Sequence, residues 1–90
     1  MLLGASPPPQ GSVAHQVWGE ALAAKGDHKG AAAKFKTAAN YAPNWGRLHL
    51  RWAQSLARQG KTAEAREHRA IAARLDLTPT ERRELGALKL

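Results

Sequence analysis

The second half of this chain repeats the first. Residues 12–45 laid over 46–79 match at eight positions: His15 with His49, Trp18 with Trp52, Leu22 with Leu56, Ala23 with Ala57, Gly26 with Gly60, Ala31 with Ala65, Ala38 with Ala72 and Ala39 with Ala73. A chain this rich in alanine would give about three such matches by chance. Half the matches are alanines, so placement says more than number. The paired glycines fall at the same break between two apolar-periodic segments in both copies. A period of this length with a turn in its middle is a repeated helix–turn–helix unit, which buries its apolar face only by stacking on a neighbouring copy.

Composition agrees with helix. Val13, Val17, Ile71 and four threonines are the whole β-branched supply, and alanine is abundant. Ninety residues make one small domain. The absence of cysteine excludes a disulfide framework and a thiolate metal site. Met1-Leu2-Leu3 is followed by a proline-containing stretch, so no signal-peptide pattern is expected, and no run reaches the roughly 20 apolar residues of a membrane span. The expectation is a soluble, cytoplasmic protein. A formal charge of +7 favours acidic partners without choosing among them.

Local signals divide the chain into a lead-in and five helices. Residues 1–11, with Ser6-Pro7-Pro8-Pro9, read as a disordered or polyproline-like lead-in. Ser12 is the expected N-cap of a first helix reaching Lys25, and Gly26-Asp27 separates it from a second reaching Ala42. After Pro43, Asn44 is the expected cap of a third helix, in which Trp45, Leu48, Trp52 and Leu56 recur at helical spacing. Gly60-Lys61-Thr62 breaks the chain again, with Thr62 as the cap of a fourth helix to Leu75. Thr78-Pro79-Thr80-Glu81 forms a capping box with proline in the first helical position. It opens a short fifth helix that would pack through Leu85, Leu88 and Leu90. Connections of two to four residues would make successive helices antiparallel neighbours.

The repeat resembles the tetratricopeptide repeat. Trp18-Gly19, Leu22, Gly26-Asp27, Ala31, Phe35, Ala38 and Pro43 fall on the signature positions of that family, and the second copy keeps Trp52-Ala53, Leu56, Gly60, Ala65 and Ala72. His15 and His49 stand where the family often has tryptophan, Trp18 and Trp52 where it has leucine, Arg69 replaces an aromatic residue and Leu77 a proline. The resemblance implies an all-α superhelical solenoid with repeats at 12–45 and 46–79 and a capping helix at 78–90. Gly19 and Ala53 would let the second helix of each pair approach closely. The resemblance further implies a concave groove lined by the first helix of each pair, which takes peptide segments. Its groove positions carry Val13, Gln16, Val17, Glu20 and Ala24 from the first copy, and Arg47, Leu50, Arg51, Gln54 and Arg58 from the second.

Arg47, Arg51, Gln54 and Arg58 also share one helical face by spacing alone. Three guanidiniums in a row can fork onto carboxylates, with Leu50 as an exposed apolar contact, although such stripes are often only a solvated face. The groove positions that carry the lysine and asparagines of the family's carboxylate clamp hold Gln16 and Glu20 instead, so a clamped C-terminal tail is not expected.

Nothing in the sequence suggests catalysis or a cofactor. It has no phosphate-binding glycine loop, nucleophile elbow or zinc-binding His-Glu motif, and the seven acidic residues sit mostly at caps or beside arginines. His15 and His49 read as packing residues rather than metal ligands. Trp18 and Trp52 read as core, which removes the stacking platform of a single-strand binder and makes nucleic acid the weaker reading of the charge. The leading expectation is a scaffold-type module that binds an acidic protein or peptide segment. The alternative is a structural or self-associating piece of a larger protein, including a homodimer, because two repeats and a cap are near the minimum for a continuous core.

Overall fold

The computed structural model describes residues 10–90, which form five α-helices and no strand. They are α1 (Gln10–Ala24), α2 (His28–Ala39), α3 (Gly46–Arg58), α4 (Thr62–Ala73) and α5 (Pro79–Ala87). The longest packing interfaces join α1 to α2 and α3 to α4, and α2 packs on α3 between the two pairs. Smaller contacts link α1 with α3 and α5 with both α3 and α4, so α3 touches every other helix.

The two matched glycines explain the pairing. Gly26 and Gly60 have φ of 87° and 77°, the left-handed region in which a β-carbon is strained. Each reverses the chain in a three-residue connection, and Asp27 and Lys61 donate their backbone N–H groups to the carbonyls of Leu22 and Leu56 respectively. Asp27 caps α2 by accepting from the backbone N–H of Gly30 at 2.8 Å. The capping box of α5 is formed in full, with Thr78 accepting from Glu81 N–H and the Glu81 carboxylate accepting from Thr78 N–H.

Four local expectations are corrected. Residues 1–9 of the expected lead-in lie outside the described residues, but Gln10 and Gly11 are already helical, so Ser12 is inside α1 and fully buried rather than its cap. Trp45 and Lys61, not Asn44 and Thr62, are the capping residues of α3 and α4, and neither makes a side-chain capping bond. The second and fourth helices stop at Ala39 and Ala73, short of the expected Ala42 and Leu75. The connections accordingly run from three to six residues.

One core joins Ala31, Phe35 and Ala38 of α2 to Leu48 of α3, with Leu22, Ala23, Trp45 and Trp52 against it. Gly19 makes this packing possible, because a β-carbon there would lie 2.5 Å from the ring of Phe35. A second core joins Leu50, Ala72 and Leu85, with Leu77 beside them, and anchors α5.

The repeat is visible in side-chain geometry as well. His15 stacks on Trp18 at 6.2 Å between ring centroids, and His49 on Trp52 at 6.0 Å. Each tryptophan ring also meets a residue from the second helix of its own pair, and these two are equivalent in the repeat: Lys34 lies 3.6 Å over Trp18, and His68 stacks 3.8 Å from Trp52. The two copies differ in burial. Trp18 is 52% exposed, which corrects its expected place in the core, whereas Trp52 packs against the first core.

Candidate functional site

Side chains of α1, α2 and α3 and the end of α5 enclose a groove of about 470 Å³. Its apolar lining includes Ala23, Ala24, Phe35, Ala57 and Leu88. Its polar lining is Glu20, His28, Arg51, Gln54, Ser55 and Arg58. Glu20 and Ala24 of α1 and Arg51, Gln54 and Arg58 of α3 are therefore brought together as the helical spacing of α1 and α3 suggests. Val13, Gln16, Val17, Arg47 and Leu50 are not part of the lining. Leu50 is fully buried in the second core, because its position on α3 faces α4 and α5 rather than solvent. Gln16 is 1% exposed and Val13 lies on the outward side of α1, 37% exposed and away from the groove lining. Arg47 lies beside the groove and is held by Glu20.

The expected row of free guanidiniums is also corrected. Glu20 receives a bidentate fork from Arg47, with Nε to Oε2 at 2.8 Å and Nη2 to Oε1 at 2.9 Å. It also accepts from Gln16 at 2.8 Å and pairs with Arg51 at 3.4 Å. Arg47 reaches Glu81 at 3.5 Å, and Arg51 donates to Glu84 at 3.1 Å and to Gln54 at 3.1 Å. Two guanidiniums of α3 are thus set among three carboxylates, one from α1 and two from α5. This wall of the groove is a neutralised network that ties three helices together. Burial alone would raise the Glu20 carboxyl, but hydrogen bonds from Arg47 and Gln16 and the charges of Arg47 and Arg51 hold it below the usual carboxylate range. Its hydrogen bond to Glu20 raises Arg47 in turn, against the opposing effect of burial.

Arg58 stands apart. Its side chain is exposed at the end of α3 and makes no hydrogen bond or ion pair among the described residues. His28, across the groove lining, has a buried Nδ1 with no hydrogen-bond partner. The groove thus combines an apolar floor with one unengaged cation.

Sequence reasoning missed the acidic half of this network. The available signal was the repeat itself: Glu81 follows Arg47 by one full repeat, and equivalent residues of neighbouring units are spatial neighbours. It also missed a histidine pair on the opposite side of α3. His49 Nε2 lies 2.7 Å from the Pro43 carbonyl, which can only accept, so that nitrogen carries the proton. His49 Nδ1 is then the acceptor of a 3.0 Å bond donated by His68 Nδ1–H. Burial lowers the affinity of both rings for a second proton. The neighbouring His49 lowers His68 further, to about 4, against the opposing charge of Glu64.

Among the described residues no group of three or more His, Cys, Asp or Glu is placed to hold a metal ion. No helix among them is long and apolar enough to cross a membrane. The chain matches no protein-family model and no curated protein.

Proposed function

We propose that this chain is a cytoplasmic protein–protein interaction module, arranged as a tetratricopeptide-type superhelix, that takes a peptide segment in the groove between α1 and α3. The groove is the observation that carries this reading. It is concave, floored by the apolar side chains of Ala23, Ala24, Phe35, Ala57 and Leu88 and open beside an unpaired arginine, and such a combination of apolar floor and orienting polar groups is the usual build of a binding site. The equivalent His-Trp stacks of the two copies support the superhelical reading.

The internal pairing of Arg47 and Arg51 narrows the ligand. Forming new bonds from either to a partner would mean giving up Glu20, Glu81 or Glu84. The peptide is therefore one with a single acidic residue over Arg58 and small or branched apolar side chains against Ala24, Ala57 and Leu88. It is bound, not chemically altered, because the carboxylates beside the groove are engaged by guanidiniums.

A random peptide library displayed on phage tests the reading. Wild-type protein should enrich sequences with one acidic residue next to apolar ones, and Arg58→Glu should lose them while remaining helical by circular dichroism. Enriched peptides that bind Arg58→Glu as well as wild type would remove the groove from consideration.

A further inference from the structure

The first repeat leaves open a face that the second repeat keeps covered. On α1 and the residue after it, the exposed Ala14, Trp18, Ala21 and Lys25 fall within an arc of about 60° at about 100° per residue. One repeat later the same positions hold Leu48, Trp52, Ser55 and Gln59. There Leu48 is buried in one cluster with Ala31, Phe35 and Ala38 of α2, and Trp52 packs against that cluster. Ser55 is 2% exposed, and Gln59 donates to the His28 carbonyl at the start of α2 at 3.3 Å. Equivalent positions of a stack are built for equivalent neighbours, so α2 shows what chemistry fits the open face of α1.

Two lysines border that face, and the second repeat accounts for both. Lys34 lies over Trp18 as its repeat equivalent His68 lies over Trp52, and His68 does not keep Trp52 from α2. Lys25 stands in the place of Gln59, and its side chain makes no hydrogen bond or ion pair among the described residues. Because the first residue of α2 lies beside Gln59 at the end of α3, the two helices run antiparallel. A helix in the matching place on α1 therefore sets its N-terminus beside Lys25. That end of a helix is already positive, so next to Lys25 it needs acidic residues in its first turn. A second copy has no such helix to offer among the described residues, because Ala31 and Ala38 of α2 and Ala65 and Ala72 of α4 are all 0% exposed within their own fold.

We propose that Ala14, Trp18, Ala21 and Lys25 bind a helix of a partner protein, antiparallel to α1, with small residues seven apart on its docking face and an acidic first turn. None of the four lines the groove, so this contact is independent of the peptide assigned there. It covers well under the roughly 800 Å² per partner of a standard stable interface, so it is weak.

The probe is a synthetic peptide of residues 27–42 with Lys29→Glu in its first turn, stapled through positions 33 and 37 to hold it helical. It is titrated to about 2 mM into the full chain and followed by NMR. The expected result is saturable shifts of the Ala14 and Ala21 amides and the Trp18 indole N–H, with a Kd of about 0.1–1 mM. Ala14→Glu and Ala21→Glu in the chain, or Ala31→Glu and Ala38→Glu in the peptide, should each weaken binding about tenfold or more by burying a charge, without loss of helicity. Lys25→Glu should reverse the preference in favour of the peptide that keeps Lys29, and Arg58→Glu should change neither affinity. No shift at the highest peptide concentration overturns the proposal. So do shifts centred on Ala57, Arg58 and Leu88, shifts centred on Phe35 and Leu48 as α2 is displaced, or binding that resists both α1 substitutions. Movement of the same signals when protein concentration alone is raised would mean a second copy, and overturns it too.

Discussion

Glu20→Gln is the perturbation that weighs the α1–α3–α5 network most directly. Glutamine keeps the shape of the side chain and one acceptor oxygen but removes the charge that Arg47 and Arg51 share. The wild-type carboxylate accepts two short hydrogen bonds from Arg47, at 2.8 and 2.9 Å, and its side chain is 25% exposed. Hydrogen bonds to charged groups contribute about 1.5–3 kcal/mol. Arg47 is 40% exposed, so solvent screening brings the expected loss down to about 1–1.5 kcal/mol. In a domain of this size that is a fall in Tm of about 5–10 °C, followed by circular dichroism. Glu84→Gln, which removes one contact at a 37% exposed carboxylate, should cost less than about 1 kcal/mol. The pH dependence adds a second check. The folded Glu20 pKa is depressed, so its contribution is present above the unfolded value of about 4.3 and is lost as pH falls through the folded value. The difference between wild type and Glu20→Gln should be constant from pH 7 to 5 and close below about pH 4. A variant with wild-type Tm at pH 7, or a deficit that persists undiminished to pH 3, would refute the reasoning.

Gly19→Ala sets a β-carbon against the fully buried ring of Phe35. The overpacking cost of about 1–3 kcal/mol exceeds the gain in helix propensity of up to about 1 kcal/mol, so urea denaturation should show a net loss of about 1–2 kcal/mol. Gly60→Ala meets no neighbouring atom, and its loss of about 1 kcal/mol should come from the positive φ alone. His49 and His68 have folded pKa values below their unfolded ones, so the stability they contribute as neutral rings is full above about pH 6.5 and declines as pH falls toward 4. NMR titration of the His68 ring should give a midpoint near 4; one near its ordinary value would contradict the buried, shared hydrogen bond.

The helix count, both glycine turns, the close approach at Gly19 and the α5 capping box were legible because each is dictated locally. A left-handed turn needs glycine, and a capping box needs its four residues in order. The cap positions of α3 and α4 were displaced by one residue because no side chain makes the capping bond there, so the polar neighbours Asn44 and Thr62 misled. Helical spacing placed Arg51, Gln54 and Arg58 together but said nothing of what faces them. The charge of Arg51 is balanced by Glu20 and Glu84, which belong to other helices and lie far from it along the chain. Trp18 was misplaced because its repeat partner Trp52 has α4 and α2 around it, while among the described residues the ring of Trp18 meets Lys34 and His15 and stays 52% exposed. Equivalent residues in a stack share geometry, but burial depends on whether a neighbouring unit is present.

The measurement closest to the central claim is an NMR titration of the whole chain with a peptide selected by the wild-type groove. Binding between α1 and α3 predicts the largest amide shifts at Ala23, Ala24, Ala57, Arg58 and Leu88. Shifts concentrated on the exposed side of α4, at Glu64, Glu67 and Arg74, would contradict it.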